Sequence, residues 1–161
     1  EKLATPKVVT FAQKMAENEK VKALTISCAA DPALNEVRNV VDIPVLSAGI
    51  CGAHAASMVG NHVGIIGIKD SPPPRMKEEL GERFHSFAYS PKHRKTTDLF
   101  QDDAKETLLH IAKQLIAEGA DVILFACTGF STIHLKDYFN ESINVPVIDL
   151  VEAQAIAYNL L

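Results

Sequence analysis

The chain has 161 residues, of which 47% are hydrophobic, and it carries a net charge of −4. This length and composition predict one globular domain or two small half-domains, and no apolar run reaches the roughly 18 residues of a membrane span. The opening segment lacks the apolar stretch of a signal peptide. The odd count of three cysteines favours free thiols over a disulfide framework. We therefore expect a cytoplasmic protein without a membrane partner.

The first half of the chain shows helices alternating with buried strands. Thr5 and Pro6 are typical of a helix start, and the apolar residues behind them recur at helical spacing. "KALTIS" predicts a buried strand that ends at Cys28, and Asp31 most simply caps a second helix that starts at Pro32. "IPVLS" is the next predicted strand, and an Ala-rich helix follows it.

The second half continues the same alternation. "HVGIIGI" predicts a fully buried strand, a Pro-rich turn feeds a helix, and "SFAY" indicates a short strand. An amphipathic helix is expected from Asp103 to Glu118, with Gly119 as its stop. "DVILFA" leads to Cys127, Ser131 is expected to cap the next helix, and the strand "VPVID" precedes the helix "VEAQAIAYNLL". Alternating strands and helices predict parallel sheets with covered faces.

An internal repeat surrounds Cys28 and Cys127. Each follows an apolar strand and precedes a small-residue turn, a helix, a Pro-Val strand and an Ala-rich helix, in that order. If the halves face each other about a pseudo-two-fold axis, both thiols lie at carboxyl ends of strands, where open α/β sheets bind ligands.

A cysteine in a buried strand is often only a small packing residue. The repeated pair favours a functional interpretation, because a strand-to-helix junction usually lowers a thiol pKa and favours the thiolate.

The motifs "SCAADPAL", "IPVLSAG", "VGIIGI", "GADVILFACTGFS" and "VPVIDLVEAQA" resemble the aspartate/glutamate/hydantoin racemase superfamily over nearly the whole chain. The resemblance implies a two-base mechanism without a cofactor, in which Cys28 and Cys127 exchange protons with opposite faces of one carbon. It also implies that backbone N–H groups around Ala29, Ala30, Thr128 and Gly129 bind the substrate's oxygen atoms.

The form of the first motif looks most like hydantoin racemases, because Ala29 and Ala30 stand where amino-acid racemases usually carry Asn-Thr. Gly129 replaces the His of glutamate racemases, which makes a glutamate or aspartate substrate less expected. Ile68 and Lys69 occupy the place of a substrate-facing Thr. The family normally has a strand before the first helix, with a loop that helps bind substrate, whereas this chain begins on a helix, so either the sequence is incomplete at its N-terminus or the protein lacks that loop.

The six histidines show no paired metal-ligand spacing, so no metal site is expected. Cys51 and His54 are interpreted first as packing residues, and Asp149 as a helix cap. The basic cluster at residues 92–95 is interpreted as a solvated loop, since no Gly-rich loop or interleaved aromatics accompany it, and nucleic acid is not an expected partner.

These observations predict an α/β protein of two pseudo-symmetric lobes with parallel sheets and an active site in the cleft between them. Residues 1–61 with 149–161 would form the first lobe, and residues 62–148 the second. The expected function is a racemase or epimerase acting on a small, carbonyl-activated substrate, preferably hydantoin-like. A cis-trans isomerase or decarboxylase of the same superfamily and a non-catalytic ligand-binding module remain alternatives, and a homo-oligomer stays open.

Overall fold

A computed structural model describes residues 4–161 and shows the predicted alternation of helices and strands. In the first half, strands β1 and β2 pair in parallel as a two-stranded sheet, with Leu24 opposite Val45. Its elements are α1 (Thr5–Ala16), β1 (Leu24–Ile26), α2 (Leu34–Arg38), β2 (Val45–Ser47) and α3 (Ala48–Val59).

The second half forms a four-stranded parallel sheet in the order β4-β3-β5-β6. Every residue of the two central strands, β3 and β5, is buried, which explains their uninterrupted apolar sequences. The elements are β3 (Val63–Gly67), α4 (Pro74–Leu80), β4 (Phe84–Tyr89), α5 (Ala104–Ala117), β5 (Val122–Phe125), α6 (Gly129–Thr132), α7 (Leu135–Asn140), β6 (Val147–Ile148) and α8 (Leu150–Tyr158). The short strand predicted at "SFAY" is confirmed as part of β4.

Helices cover both faces of the larger sheet. On one face, α5 packs its buried residues beside Phe125, whose ring makes edge contacts with Phe130 and Phe139 at centroid distances of 5.1 and 5.4 Å. On the other face, the small residues of α3 pack against β3 and β5. Helix α3 also contacts β2 and α8, so it links the two sheets.

Two capping predictions are wrong. Asp31 does not cap α2, which begins after Ala33 in a left-handed conformation with φ 60°. Ser131 does not cap the helix of Leu135, because it already lies within α6, and α7 begins after His134 with φ 52°. In both halves the helix therefore begins after a left-handed residue, and the polar side chain is free to bond elsewhere.

Within residues 4–161, no helix is both long and apolar enough to cross a membrane.

Candidate functional site

The two halves hold their first strands in equivalent ways. The Leu24 N–H donates to the Pro44 carbonyl at 2.9 Å, and the Ile123 N–H donates to the Pro146 carbonyl at the same distance. Cys28 and Cys127 then follow the carboxyl ends of β1 and β5. The repeat read from the sequence is thus present in the backbone hydrogen bonding as well as in the order of elements.

The loop of Cys28 is a tight turn with the thiol at the surface. The Cys28 N–H donates to the Ile26 carbonyl at 3.0 Å, and the Asp31 N–H donates to the Cys28 carbonyl at 3.1 Å. Cys28 itself is exposed, so its sulfur is accessible to solvent and to a ligand.

Asp31 anchors this turn to helix α3. Its carboxylate is 4% exposed and accepts hydrogen bonds from the Ser47 hydroxyl, the Gly49 N–H at 2.7 Å and the Ile50 N–H at 2.9 Å. Burial raises the pKa of the Asp31 carboxyl, while these three donors and Arg75 favour the charged form. Asp31 therefore caps α3, the helix after the Pro-Val strand, rather than the helix that follows it directly.

The start of α3 lies in direct contact with the Cys28 turn. A Cβ atom added to Gly49 would lie 2.4 Å from the Ala29 carbonyl oxygen and 2.5 Å from an Asp31 carboxylate oxygen. Only glycine permits this approach, which keeps the backbone of the turn against the first turn of α3.

Cys127 occupies a different environment from Cys28. It is 7% exposed, and its burial raises the pKa of the thiol. The backbone N–H groups of Gly129 and Phe130 favour the thiolate, Cys28 adds to the increase, and Lys69 opposes it. The expectation that the strand-to-helix junction lowers the pKa is wrong for Cys127, because desolvation exceeds the effect of the backbone donors.

Gly129 leaves room for the Cys127 sulfur. A Cβ atom at this position would lie 3.3 Å from Cys127 Sγ, 3.1 Å from Leu99 Cδ1 and 3.3 Å from Thr96 Cγ2. The short 3-10 segment Thr96–Phe100 thus packs over the turn that carries Cys127.

The structure brings the two cysteine turns together. The Thr128 hydroxyl, next to Cys127, donates to the carbonyl of Ser27, next to Cys28, at 3.3 Å across 101 positions of sequence. Of the other predicted substrate-binding residues, Ala29 is buried, and Ala30 and Gly129 are half-buried on the same two turns. The two cysteine turns therefore lie side by side at the carboxyl ends of β1 and β5.

The second half repeats the Asp31 contact with its partners exchanged. The Ser131 hydroxyl donates to the Asp149 carboxylate oxygens at 2.7 and 2.5 Å, and Asp149 caps α8 by accepting from the Val151 and Glu152 N–H groups. The prediction that Asp149 caps its helix is confirmed. Ser47 and Asp149 occupy matching places after the Pro-Val strands, so aligning the repeats would have indicated Ser47, which sequence reasoning missed.

Other residues weighed from the sequence lie outside these two turns. Cys51 is half-buried on α3, burial raises its thiol pKa, and it lines a pocket of about 350 Å³ between α3 and α8 together with His54. His54 Nε2 lies 3.4 Å from a carboxylate oxygen of Glu79, and Ile68 packs against the core of the larger sheet.

The basic cluster is only partly a solvated loop. His93 is fully buried and contacts Ser90 at 2.8 Å and Asp103 at 3.2 Å, and Arg94 pairs with Asp70 at 3.2 Å. Within residues 4–161, no group of three or more His, Cys, Asp or Glu side chains is arranged to hold a metal ion.

The family profile described as Asp/Glu/Hydantoin racemase matches residues 1–157. Hydantoin racemases of Paenarthrobacter aurescens and of Pseudomonas sp. (strain NS671) are each 29% identical to the chain over an alignment of 163 positions, which covers 95% of the chain. The chain spans 66% and 63% of the lengths of these two relatives.

Among solved structures, allantoin racemase from Pseudomonas fluorescens superposes with a TM-score of 0.82 at 22% identity, over 98% of this chain and 68% of that one. This likeness supports the α/β fold with parallel sheets.

Proposed function

Because the chain belongs to the Asp/Glu/Hydantoin racemase family, we propose that it racemises a small carbonyl-activated substrate of the hydantoin type with Cys28 and Cys127 as its two acid/base groups. The observation that carries this proposal is the contact between the two cysteine turns through Thr128 and Ser27. Inversion of a carbon without a cofactor requires an acid and a base on opposite faces, and two adjoining turns from separate sheets supply such a pair.

The different environments of the two thiols suggest their resting roles. Burial favours the protonated form of Cys127, so this thiol begins as the acid. The Cys28 thiolate removes the proton from the stereogenic carbon of one enantiomer, and the Cys127 thiol donates its proton to the opposite face. Cys28 ends as the thiol and Cys127 as the thiolate, and the other enantiomer is processed in the reverse direction. Exchange of protons with water restores the starting state.

The planar carbanion between these steps needs stabilisation of its oxygen atoms. The proposed donors are the backbone N–H groups around Ala29, Ala30, Thr128 and Gly129. Hydantoin carbonyls delocalise the negative charge, whereas the carboxylate of a free amino acid is already charged. The names of the two curated relatives support a hydantoin-like substrate, and Gly129 in place of His agrees with that preference.

The test is proton NMR in deuterium oxide with single enantiomers of 5-substituted hydantoins, aspartate and glutamate. It is carried out on this 161-residue chain and, in parallel, on the complete product of its reading frame. We expect exchange of the stereogenic proton with inversion for a hydantoin, and loss of inversion in both Cys28→Ser and Cys127→Ser. Cys51→Ser is the matched control and should retain activity, because its thiol lies in the separate pocket.

No exchange with any of these substrates by either protein would contradict the racemase proposal and favour the cis-trans isomerase, the decarboxylase or the non-catalytic binding module. Inversion that survives in one serine variant would contradict the two-base mechanism. The same proposal includes an active-site cleft between two lobes, one formed by residues 1–61 with 149–161 and the other by residues 62–148. It also includes a cytoplasmic location, which suits free thiols.

A further inference from the structure

We propose that the contacts Asp31–Ser47 and Ser131–Asp149 are two independent positioning devices, each of which orients one cysteine and thereby controls proton transfer at one face of the substrate. The inference rests on the proposed function and extends it to residues that touch neither reacting thiol. It makes Asp31 and Ser131 positioning residues.

Each contact joins a cysteine turn to the helix after the Pro-Val strand of the same half. In the first half, Asp31 follows Cys28 by three positions, donates its N–H to the Cys28 carbonyl, and holds Ser47 and the first N–H groups of α3. In the second half, the Ser131 N–H donates to the Thr128 carbonyl at 3.2 Å, while its hydroxyl holds Asp149 at the start of α8.

The carboxylate and the hydroxyl have exchanged places between the two halves, which indicates that the bond between them has the same role in both. A helix cap alone would be satisfied by a carboxylate at the first residue of the helix, as Asp149 already provides for α8. In the first half the carboxylate instead lies in the cysteine turn, and the residue at the helix start is a serine. What both halves keep is a hydroxyl-to-carboxylate bond between the cysteine turn and the start of a helix.

The backbone of the Cys28 turn depends on this contact. Asp31 has φ 50° and Ala33 has φ 60°, left-handed conformations that residues other than glycine adopt infrequently, although aspartate adopts them more readily than alanine. A buried carboxylate with three donors can maintain that conformation, and without it the turn would relax toward ordinary backbone angles. A displacement of about 1 Å at a catalytic group can lower a rate by roughly 100-fold.

Thiol labelling tests the positioning without any substrate. Ser47→Ala and Asp31→Asn change the first contact, and Ser131→Ala changes the second, while Ser57→Ala and Asp42→Asn are matched controls away from both turns. Iodoacetamide rates at Cys28 and Cys127 are measured separately by mass spectrometry. We expect the first two variants to change the Cys28 rate several-fold without changing the Cys127 rate, and Ser131→Ala to do the reverse.

An equal change at both thiols, which general destabilisation would produce, overturns the inference, and so does no change at either thiol. Ser47→Ala removes one hydrogen bond and keeps the Asp31 carboxylate on α3, so it provides a readout even where Asp31→Asn fails to fold.

Deuterium incorporation then connects each contact to a face of the substrate. In Ser47→Ala and Asp31→Asn, in which Cys28 is displaced, the enantiomer that Cys28 deprotonates should exchange its proton about 10-fold to 100-fold more slowly than with the wild type. The other enantiomer should still exchange through Cys127, with retention instead of inversion. Ser131→Ala should show the same pattern with the enantiomers interchanged, and identical effects on both enantiomers would contradict the inference. If the wild type exchanges no substrate, the proposed function fails, while the labelling result still tests the contacts.

Discussion

Gly49→Ala is expected to destabilise the protein, although alanine is the better helix former. The added Cβ would lie 2.4 Å from the Ala29 carbonyl oxygen and 2.5 Å from an Asp31 carboxylate oxygen, far inside van der Waals contact. One of these atoms is backbone and the other is fixed by hydrogen bonds, so neither can move without displacing the Cys28 turn.

The expected size follows from two opposing terms. Overpacking of a well-packed interior costs about 1–3 kcal/mol, and rigid neighbours place Gly49→Ala toward the upper end. The helical preference of alanine over glycine returns at most about 1 kcal/mol. The net loss in free energy of unfolding should therefore be about 2 kcal/mol, or a decrease of about 4–8 °C in Tm for a chain of this length.

Urea denaturation followed by circular dichroism measures this difference. Gly129→Ala is the matched control in the second half, because its added Cβ would meet neighbouring atoms at 3.1 to 3.3 Å, all of them on side chains. A loss below about 1 kcal/mol is expected there, since those side chains can adjust. A Gly49→Ala protein as stable as the wild type, or more stable, would refute the close contact between α3 and the Cys28 turn.

Three further outcomes are expected. Alkylation of Cys127 should reach half its maximal rate at a higher pH than that of free cysteine, because burial raises its pKa, and a lower midpoint would contradict this. Asp149→Ala should lower the free energy of unfolding, measured by urea denaturation, by about 1–2 kcal/mol, because α8 loses its cap and Ser131 loses its hydrogen-bond partner. An unchanged urea midpoint would exclude a capping role for Asp149. The hydrogen bond from His93 lowers the pKa of Asp103. The wild type should therefore be more stable than Asp103→Asn above the ordinary pKa of 3.8, and this advantage should decline as the pH falls through the lowered pKa. A difference in free energy of unfolding between the two proteins that does not change with pH would argue against this role of His93.

The order of the elements was predictable because it depends on local patterns. The strands β3 and β5 are continuous apolar runs, and α5 shows clear helical spacing before Gly119, whose φ of 113° suits a helix stop. The two cysteines could be paired from the repeat alone, since each follows its strand at the same place.

The capping partners could not be predicted because they are distant in sequence. A carboxylate beside a Pro suggests a local cap, but Asp31 bonds to groups 16 to 19 positions later, and only the folded contact between the turn and α3 brings them together. The pKa of Cys127 was mispredicted for a related reason. The sequence reveals the helix that follows a cysteine, whereas the depth of burial depends on what packs over it, here the segment with Thr96 and Leu99.

The docking of α8 has a consequence for the order in which the chain folds during synthesis. The Gln154 side chain donates to the Thr25 hydroxyl, 129 positions earlier, and α8 covers β2 and α3. The strands of the four-stranded sheet all lie within residues 63–148 and leave the ribosome before this helix. At about 5–20 residues per second, the two-stranded sheet waits roughly 5–20 seconds for its cover, and the whole four-stranded sheet is synthesised in that interval. The nascent chain exposes an incomplete apolar surface over that interval, which is the period in which a chaperone would act on it.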